Sequence, residues 1–232
     1  MENKIIVVGD LHGDWGALNK LITTKNPAVI MQCGDFGWWP VLEVSRPVLY
    51  GRQSKWKLKG IKPHDTQVYW CDGNHEDHES LGTATEDRVS VEMYQNVYFM
   101  PRGSVLTLPD GRNVMFMGGA DSIDKHLRRR GYDWFEEELI SFKQADKALS
   151  FAGRVDIVIS HTCPNEWEPL PDEFGKRTDP CRKVLSAILE KFKPDLWFHG
   201  HWHKQNNGVY NGTRWQSLDY PGHAGKWWEI LK

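Results

Sequence analysis

The chain has 232 residues, 40% of them hydrophobic and 26% charged, with a formal net charge of -2. That length suits one large domain with a sizeable core, and a charge so near zero gives no global attraction to nucleic acid or acidic membranes. No apolar run approaches the roughly 20 residues that span a bilayer, which excludes a membrane-spanning helix. The four cysteines (Cys33, Cys71, Cys163, Cys181) form no Cys-x-x-Cys pair, so reduced thiols and a cytoplasmic location are expected.

Ile5–Val8 is a continuous apolar run, too short for a signal-peptide core, and predicts a buried strand. Asp14 is placed to cap a helix whose apolar positions Trp15, Leu18, Leu21 and Ile22 recur at helical spacing. Residues 28–32 predict a second buried strand, and this strand–helix–strand unit implies parallel neighbours with a right-handed crossover. Residues 38–63 are irregular and carry Arg46, Arg52, Lys55, Lys57, Lys59 and Lys62, expected as a solvated basic face. Residues 68–71 form the next strand. From Val97 the pattern changes to short strands and tight turns, with Pro109-Asp110-Gly111 separating strands at 104–108 and 113–117. A helix is predicted over 134–150, a buried strand over 157–160, and a long surface loop with four prolines over 164–180. Pro180 opens a helix with Val184, Leu185, Ile188, Leu189 and Phe192 on one face. A strand at 196–199, a hairpin turn at Asn211-Gly212 and a closing strand over 226–231 complete the pattern. The expectation is an α/β fold in one domain over residues 1–232, with two sheets face to face and helices outside.

Donor side chains sit just past several of these strands, in Gly9-Asp10-Leu11-His12-Gly13, Gly34-Asp35, Gly73-Asn74-His75-Glu76, Ser160-His161 and Gly200-His201-Trp202-His203. Strand ends are rigid, and oxygen and nitrogen donors gathered at one sheet edge can hold two metal ions side by side, a known device for attacking phosphoesters. The one-residue spacing within Asp10/His12 and within His201/His203 predicts a shared direction for each pair on a strand end. Asp35 has two oxygens with which to bridge two cations, and Asn74 offers a neutral amide oxygen. Mixed oxygen and nitrogen donors suit manganese, iron, zinc, cobalt or nickel better than calcium, and manganese is the first choice. The set needs no thiolate, which disfavours a structural zinc site and leaves Cys163 out. His64, His78, His126, His199 and His223 have no motif partner and are expected to be structural or solvent-facing. In residues 118–134, Gly118 and Gly119 would let the backbone approach a ligand, and Arg128 and Arg129 are candidates to clamp a phosphate. Trp38 is a candidate wall of the substrate cleft.

In this order the motifs resemble those of the calcineurin-like metallophosphoesterase superfamily, namely Asp-x-His, Gly-Asp, Gly-Asn-His-Glu, His and Gly-His-x-His, from Asp10 to His203. The resemblance implies a two-sheet β-sandwich flanked by helices. It implies that Asp10, His12, Asp35 and His203 hold one divalent metal ion, and that Asp35, Asn74, His161 and His201 hold a second, with Asp35 bridging. His75 would sit above the metals without binding them. The implied activity is that of a phosphatase or phosphodiesterase on a nucleotide or other small phosphorylated substrate. A metal-bridging hydroxide would attack phosphorus while His75 protonates the leaving oxygen or stabilises the phosphate, with Glu76 or Asp77 available to orient it. A serine/threonine-type protein phosphatase is the alternative. That branch carries Gly-Asp-x-Val-Asp-Arg-Gly at its second motif, whereas here Asp35 is followed by Phe36-Gly37-Trp38-Trp39. A nuclease is disfavoured because there is no basic excess, although tryptophans could stack single-stranded bases. A non-catalytic scaffold is disfavoured because every donor is present.

Overall fold

A computed structural model describes residues 4–38, 58, 60–62, 64–85, 89–171 and 177–232 of the chain. Arg46, Arg52, Lys55, Lys57 and Lys59 of the expected basic face, and Trp39, lie outside these residues. The strands are β1 (Ile5–Val8), β2 (Val29–Gln32), β3 (Gln67–Trp70), β4 (Val91–Tyr94), β5 (Val97–Phe99), β6 (Ser104–Thr107), β7 (Asn113–Met117), β8 (Ile157–Ser160), β9 (Leu196–His199), β10 (Asn206–Tyr210), β11 (Thr213–Ser217) and β12 (Trp228–Ile230). They form two six-stranded sheets, ordered β12-β1-β2-β3-β5-β4 and β10-β11-β9-β8-β7-β6. The helices are α1 (Trp15–Lys25), α2 (His78–Thr85), α3 (Phe142–Leu149) and α4 (Pro180–Phe192). Among the described residues no helix is long and apolar enough to cross a membrane.

Alternation along the inner strands explains the layers, because successive side chains point to opposite faces. In β1, Ile5 and Val7 join the cluster between the sheets, with Val29 and Met31 from β2 and Val114, Phe116, Ile157 and Ile159 from the second sheet. Ile6 and Val8 face the other way and pack with Leu18, Leu21 and Ile22 of α1. In the second sheet Val158 and Trp197 turn outward onto Leu185, Ile188 and Leu189 of α4. Both faces of β1 and β8 are therefore buried, as near-continuous apolar runs require. The Asp14 side chain caps α1, and Asp179 caps α4 with Pro180 at its first turn. Strands β1, β2 and β3 run parallel, as do β7, β8 and β9. Their carboxyl ends carry the donor motifs.

Three expectations are corrected. The helix predicted over 134–150 is a 3₁₀ turn at Glu136–Glu138 followed by α3. The reason is Arg102, whose guanidinium donates to the carbonyls of Glu137, Glu138 and Leu139. Those carbonyls are not left to a continuous helix, and Ser141 starts a new one through a capping box with Gln144. The segment 164–180 is not purely surface. Trp167 is 2% exposed, set edge-on to Trp197 and stacked on Trp215 at 5.2 Å. Arg182, 1% exposed, holds this segment by donating to the carbonyls of Cys163, Pro164 and Trp167. The closing strand is shorter than expected, and α2 and β4 have no counterpart among the predicted elements.

His199 lies in the same aromatic box, fully buried, with its ring 6.0 Å from those of Trp167 and Trp215 alike. Burial pushes its pKa down to about 3, aided by Arg182 and opposed by the Gly200 carbonyl. The fold therefore binds the neutral ring. Its stabilising contribution is complete above the ordinary histidine pKa of about 6.5 and is lost as the pH falls toward 3. Urea midpoints measured from pH 7 down to pH 4 should fall, and His199→Gln should flatten that slope. An equally steep slope in the variant would assign the acid sensitivity elsewhere.

Candidate metal centre

Each donor is delivered by the end of a buried strand. Asp10 follows β1 by two residues and Asp35 follows β2 by three. Gln32 ties those ends together by donating from its side chain to the Gly9 and Gly34 carbonyls and accepting the Gly34 N–H. The Asp35 carbonyl accepts the N–H groups of Leu11 (3.1 Å) and His12 (2.8 Å). The second sheet joins through His201, whose N–H donates to Asp10 Oδ1 at 3.0 Å, and through His161, whose Nδ1–H donates to the Cys33 carbonyl at 2.8 Å.

Two groups of donors result. Asp10, His12 and His203 present ligand atoms within 4.8 Å of one another, and so do Asp10, Asp35 and His161. In the first, His203 Nε2 lies 3.0 Å from Asp10 Oδ2 and 2.9 Å from His12 Nε2. In the second, His161 Nε2 lies 3.6 Å from Asp35 Oδ2. The Asn74 oxygen completes it, 2.9 Å from His161 Nε2 and 3.0 Å from His201 Nδ1. Their partners fix which atoms carry protons. His161 gives its Nδ1 proton to Cys33, and Asn74 gives its amide N–H to Ser122 at 2.9 Å. The His161 Nε2 and Asn74 Oδ1 atoms that face each other are then both lone-pair donors. Lone pairs converging on one point suit a divalent cation, and these oxygen and nitrogen atoms fit one of the first transition row.

The strand alternation expected at Asp10/His12 and at His201/His203 is not what the backbone adopts there. His12, Asp35, His201 and His203 all adopt left-handed backbone, with φ of 46°, 51°, 68° and 47°. The other described non-glycine residues with positive φ are Asn26 and Lys193 at helix ends and Asn96 and Asn211 in hairpin turns. A left-handed non-glycine residue costs on the order of 1–3 kcal/mol, a strain typical of functional sites.

Asp35 is 2% exposed. Burial alone would raise its pKa, but His161, His75, His12 and the His75 N–H together hold it well below the carboxylate range. His75 sits edge-on to His12 at 5.9 Å, and its N–H donates to Asp35 Oδ1 at 3.0 Å. Burial pushes the His75 pKa down to about 4, with Arg128 adding to the shift and Asp35 opposing it. Glu76 does not orient His75. Its carboxylate accepts the N–H groups of Gly37 and Gly73, and burial, reinforced by Asp35, raises its pKa. Asp77 accepts the Ser80 N–H at the start of α2. Trp38 donates from its indole to Ser80, Arg129 lies over the Tyr132 ring, and Arg128 reaches His75 Nε2 at 3.0 Å.

Sequence reasoning missed a supporting layer. Ser122 accepts from Asn74 and donates to Glu138 at 2.7 Å, and nothing in the run of glutamates marks Glu138 out. Asp72, one residue before the Gly73-Asn74 motif, is buried and pairs with buried Arg102. Gly119, at φ 86°, makes room for the Arg102 guanidinium and the Glu138 carbonyl, and Gly118 makes room for Asp72. Tyr220, beyond the motifs, lies 4.7 Å from the His203 ring and stacks on His223, which is held by Asp219.

Gly200 is where Asp10 needs most room, since a Cβ there would fall on Asp10 Oδ1. Gly200→Ala should destabilise the protein by about 1–3 kcal/mol, the usual result of overpacking, and should lower manganese uptake. Thermal melts and metal analysis check this. Wild-type values for both would show that Asp10 can give way.

No curated protein matches the chain significantly. Among solved structures it is similar to GAP50, the anchor in the inner membrane complex of Plasmodium, at 12% identity and a TM-score of 0.52, over 92% of this chain and 70% of that one. It is also similar to the phosphopantetheinyl hydrolase PptH of Mycobacterium tuberculosis, at 12% identity and a TM-score of 0.47, over 98% and 95% of the two chains. At such identity the GAP50 likeness is one of fold. Residues 3–205 match the family model of the calcineurin-like phosphoesterases, and the chain belongs to that family of phosphoester hydrolases.

Proposed function

We propose that the protein hydrolyses a phosphoester of a small phosphorylated substrate, such as a nucleotide, at a dinuclear centre. One divalent cation would be held by Asp10, His12, Asp35 and His203, and a second by Asp35, Asn74, His161 and His201, with Asp35 between them. Manganese is the first candidate, since this donor set suits first-row transition metals. The observation that carries the reading is the convergence of the Asn74 oxygen with ring nitrogens of His161 and His201, with Nδ1 of His161 and the amide N–H of Asn74 already committed elsewhere. Two such ions, when bound, lower the pKa of water and neutralise charge on a phosphoryl group.

The chain's own residues supply position and a proton. His75 stands at the edge of the donor cluster, fixed by its N–H bond to Asp35. It is neutral near pH 7 in the structure described. The negative charge of an arriving phosphoester favours its protonated form and so prepares it to give a proton to the leaving oxygen. The second motif argues against the protein-phosphatase alternative, because Trp38 and Trp39 stand where that branch carries Asp and Arg.

His75→Ala should keep wild-type metal content and lose turnover by about 10²–10⁴, the usual worth of a positioned acid. Near-normal turnover in that variant would remove His75 from the mechanism. Wild-type protein should cleave p-nitrophenyl phosphate or bis-p-nitrophenyl phosphate with manganese and neither with chelator. A metal-loaded protein that cleaves neither ester would favour a scaffold.

A further inference from the structure

Arg128 is 10% exposed at its side chain and is gripped along one edge. Its Nε and Nη2 both donate to the Asp124 carboxylate, at 3.0 and 2.8 Å. The opposite edge, Nη1 and Nη2, turns toward the metal donors. Nη2 approaches His75 Nε2 at 3.0 Å, and Nη1 makes only a long contact of 3.4 Å to Ser122 Oγ. Ser122 is itself bonded to Asn74. A guanidinium has donors and no acceptor, so His75 Nε2 accepts here and its ring proton lies on Nδ1.

We infer that this second edge of Arg128 receives the phosphoryl group of the substrate, and that until it does so the same edge caps His75 Nε2. The inference rests on the phosphoesterase reading above and assigns that site its phosphate contact. Three features support it. The Nη1–Nη2 edge has the planar fork that matches two phosphate oxygens, and such bidentate guanidinium–phosphate pairs are both strong and geometrically specific. Asp124 already orients the fork, so the guanidinium need not move when the exchange occurs. The exchange releases His75 Nε2 from Arg128 beside the group it would serve. Arg128 is thus both a substrate contact and a positioning residue for His75. Arg129, turned onto Tyr132, has no part in this.

The test uses zinc-loaded protein and inorganic phosphate. Calorimetry on Arg128→Gln should show phosphate affinity reduced about 10–100-fold, and on Arg128→Lys reduced less, because a point charge remains without the fork. Asp124→Asn, a half-exposed change that leaves Arg128 in place but unguided, should weaken phosphate binding by a smaller factor. Nitrogen-15 spectra of the His75 ring should shift at Nε2 when phosphate is added to the wild type. In Arg128→Gln that resonance should start at the shifted position and stay there. Phosphate affinity within about twofold of wild type in Arg128→Gln at equal zinc content, against the loss expected for a charged donor, overturns the assignment. So does a His75 resonance that saturating phosphate leaves unmoved. If Arg128→Gln fails to hold zinc, Asp124→Asn decides, and unchanged affinity there overturns it too. Hydrolysis of the p-nitrophenyl esters separates the two readings. A wild type that binds phosphate through Arg128 but cleaves neither ester supports this contact and sinks the catalytic reading. One that cleaves esters with Arg128-independent affinity does the reverse.

Discussion

Two buried carboxylates at one spot set the terms for everything around them. β1 and β2 are parallel neighbours in register, so the chain leaving them brings Asp10 and Asp35 together, at 0% and 2% exposure. Like charges in a low-dielectric interior repel strongly and must be offset by donors or cations. The surrounding structure supplies offsets from every side. The His201 N–H falls on Asp10, the His75 N–H falls on Asp35, and imidazoles from both sheets close the ring. The strained backbone at His12, Asp35, His201 and His203 is tolerated because this arrangement over-determines it.

A second layer keeps the first from relaxing. Glu76 holds the Asp35 and Asn74 loops together by accepting from Gly37 and Gly73. Glu138 holds Ser122, which holds Asn74 and so decides which amide atom faces His161. Arg102 pairs with Asp72 and takes three carbonyls of the 137–139 segment, so the turn that carries Glu138 is fixed by the strand that leads to Asn74. Such networks orient ligands and tune them, and their effect exceeds that of any one bond.

The buried strands and the first helix were legible in the sequence because their period is set by burial on two faces. Trp15, Leu18, Leu21 and Ile22 are the buried positions of α1, as their spacing predicts. The donor motifs were legible as a list but not as a geometry. Sequence spacing suggested strand alternation for His12 and His203, whereas their backbone is left-handed, a conformation that histidine adopts too rarely for a sequence to announce it. The break within 134–150 was hidden because its cause, Arg102, lies more than thirty residues away and acts through carbonyls. α2 escaped notice since its polar start merges with the Gly-Asn-His-Glu motif. Glu138 and Ser122 carry no local signature, as a carboxylate acting on a hydroxyl needs none.

The strand that leads to Asp10 is an inner strand only because β12 pairs antiparallel against it, Ile6 opposite Ile230, with Gly9 N–H bonded to the Trp227 carbonyl. The first and last parts of the sheet are thus joined across almost the whole sequence, a contact of the slowest kind to form. During synthesis the nascent β1 edge stays open until residues 228–230 have left the ribosome. A stalled or prematurely terminated product would expose a raw sheet edge to chaperones or aggregation.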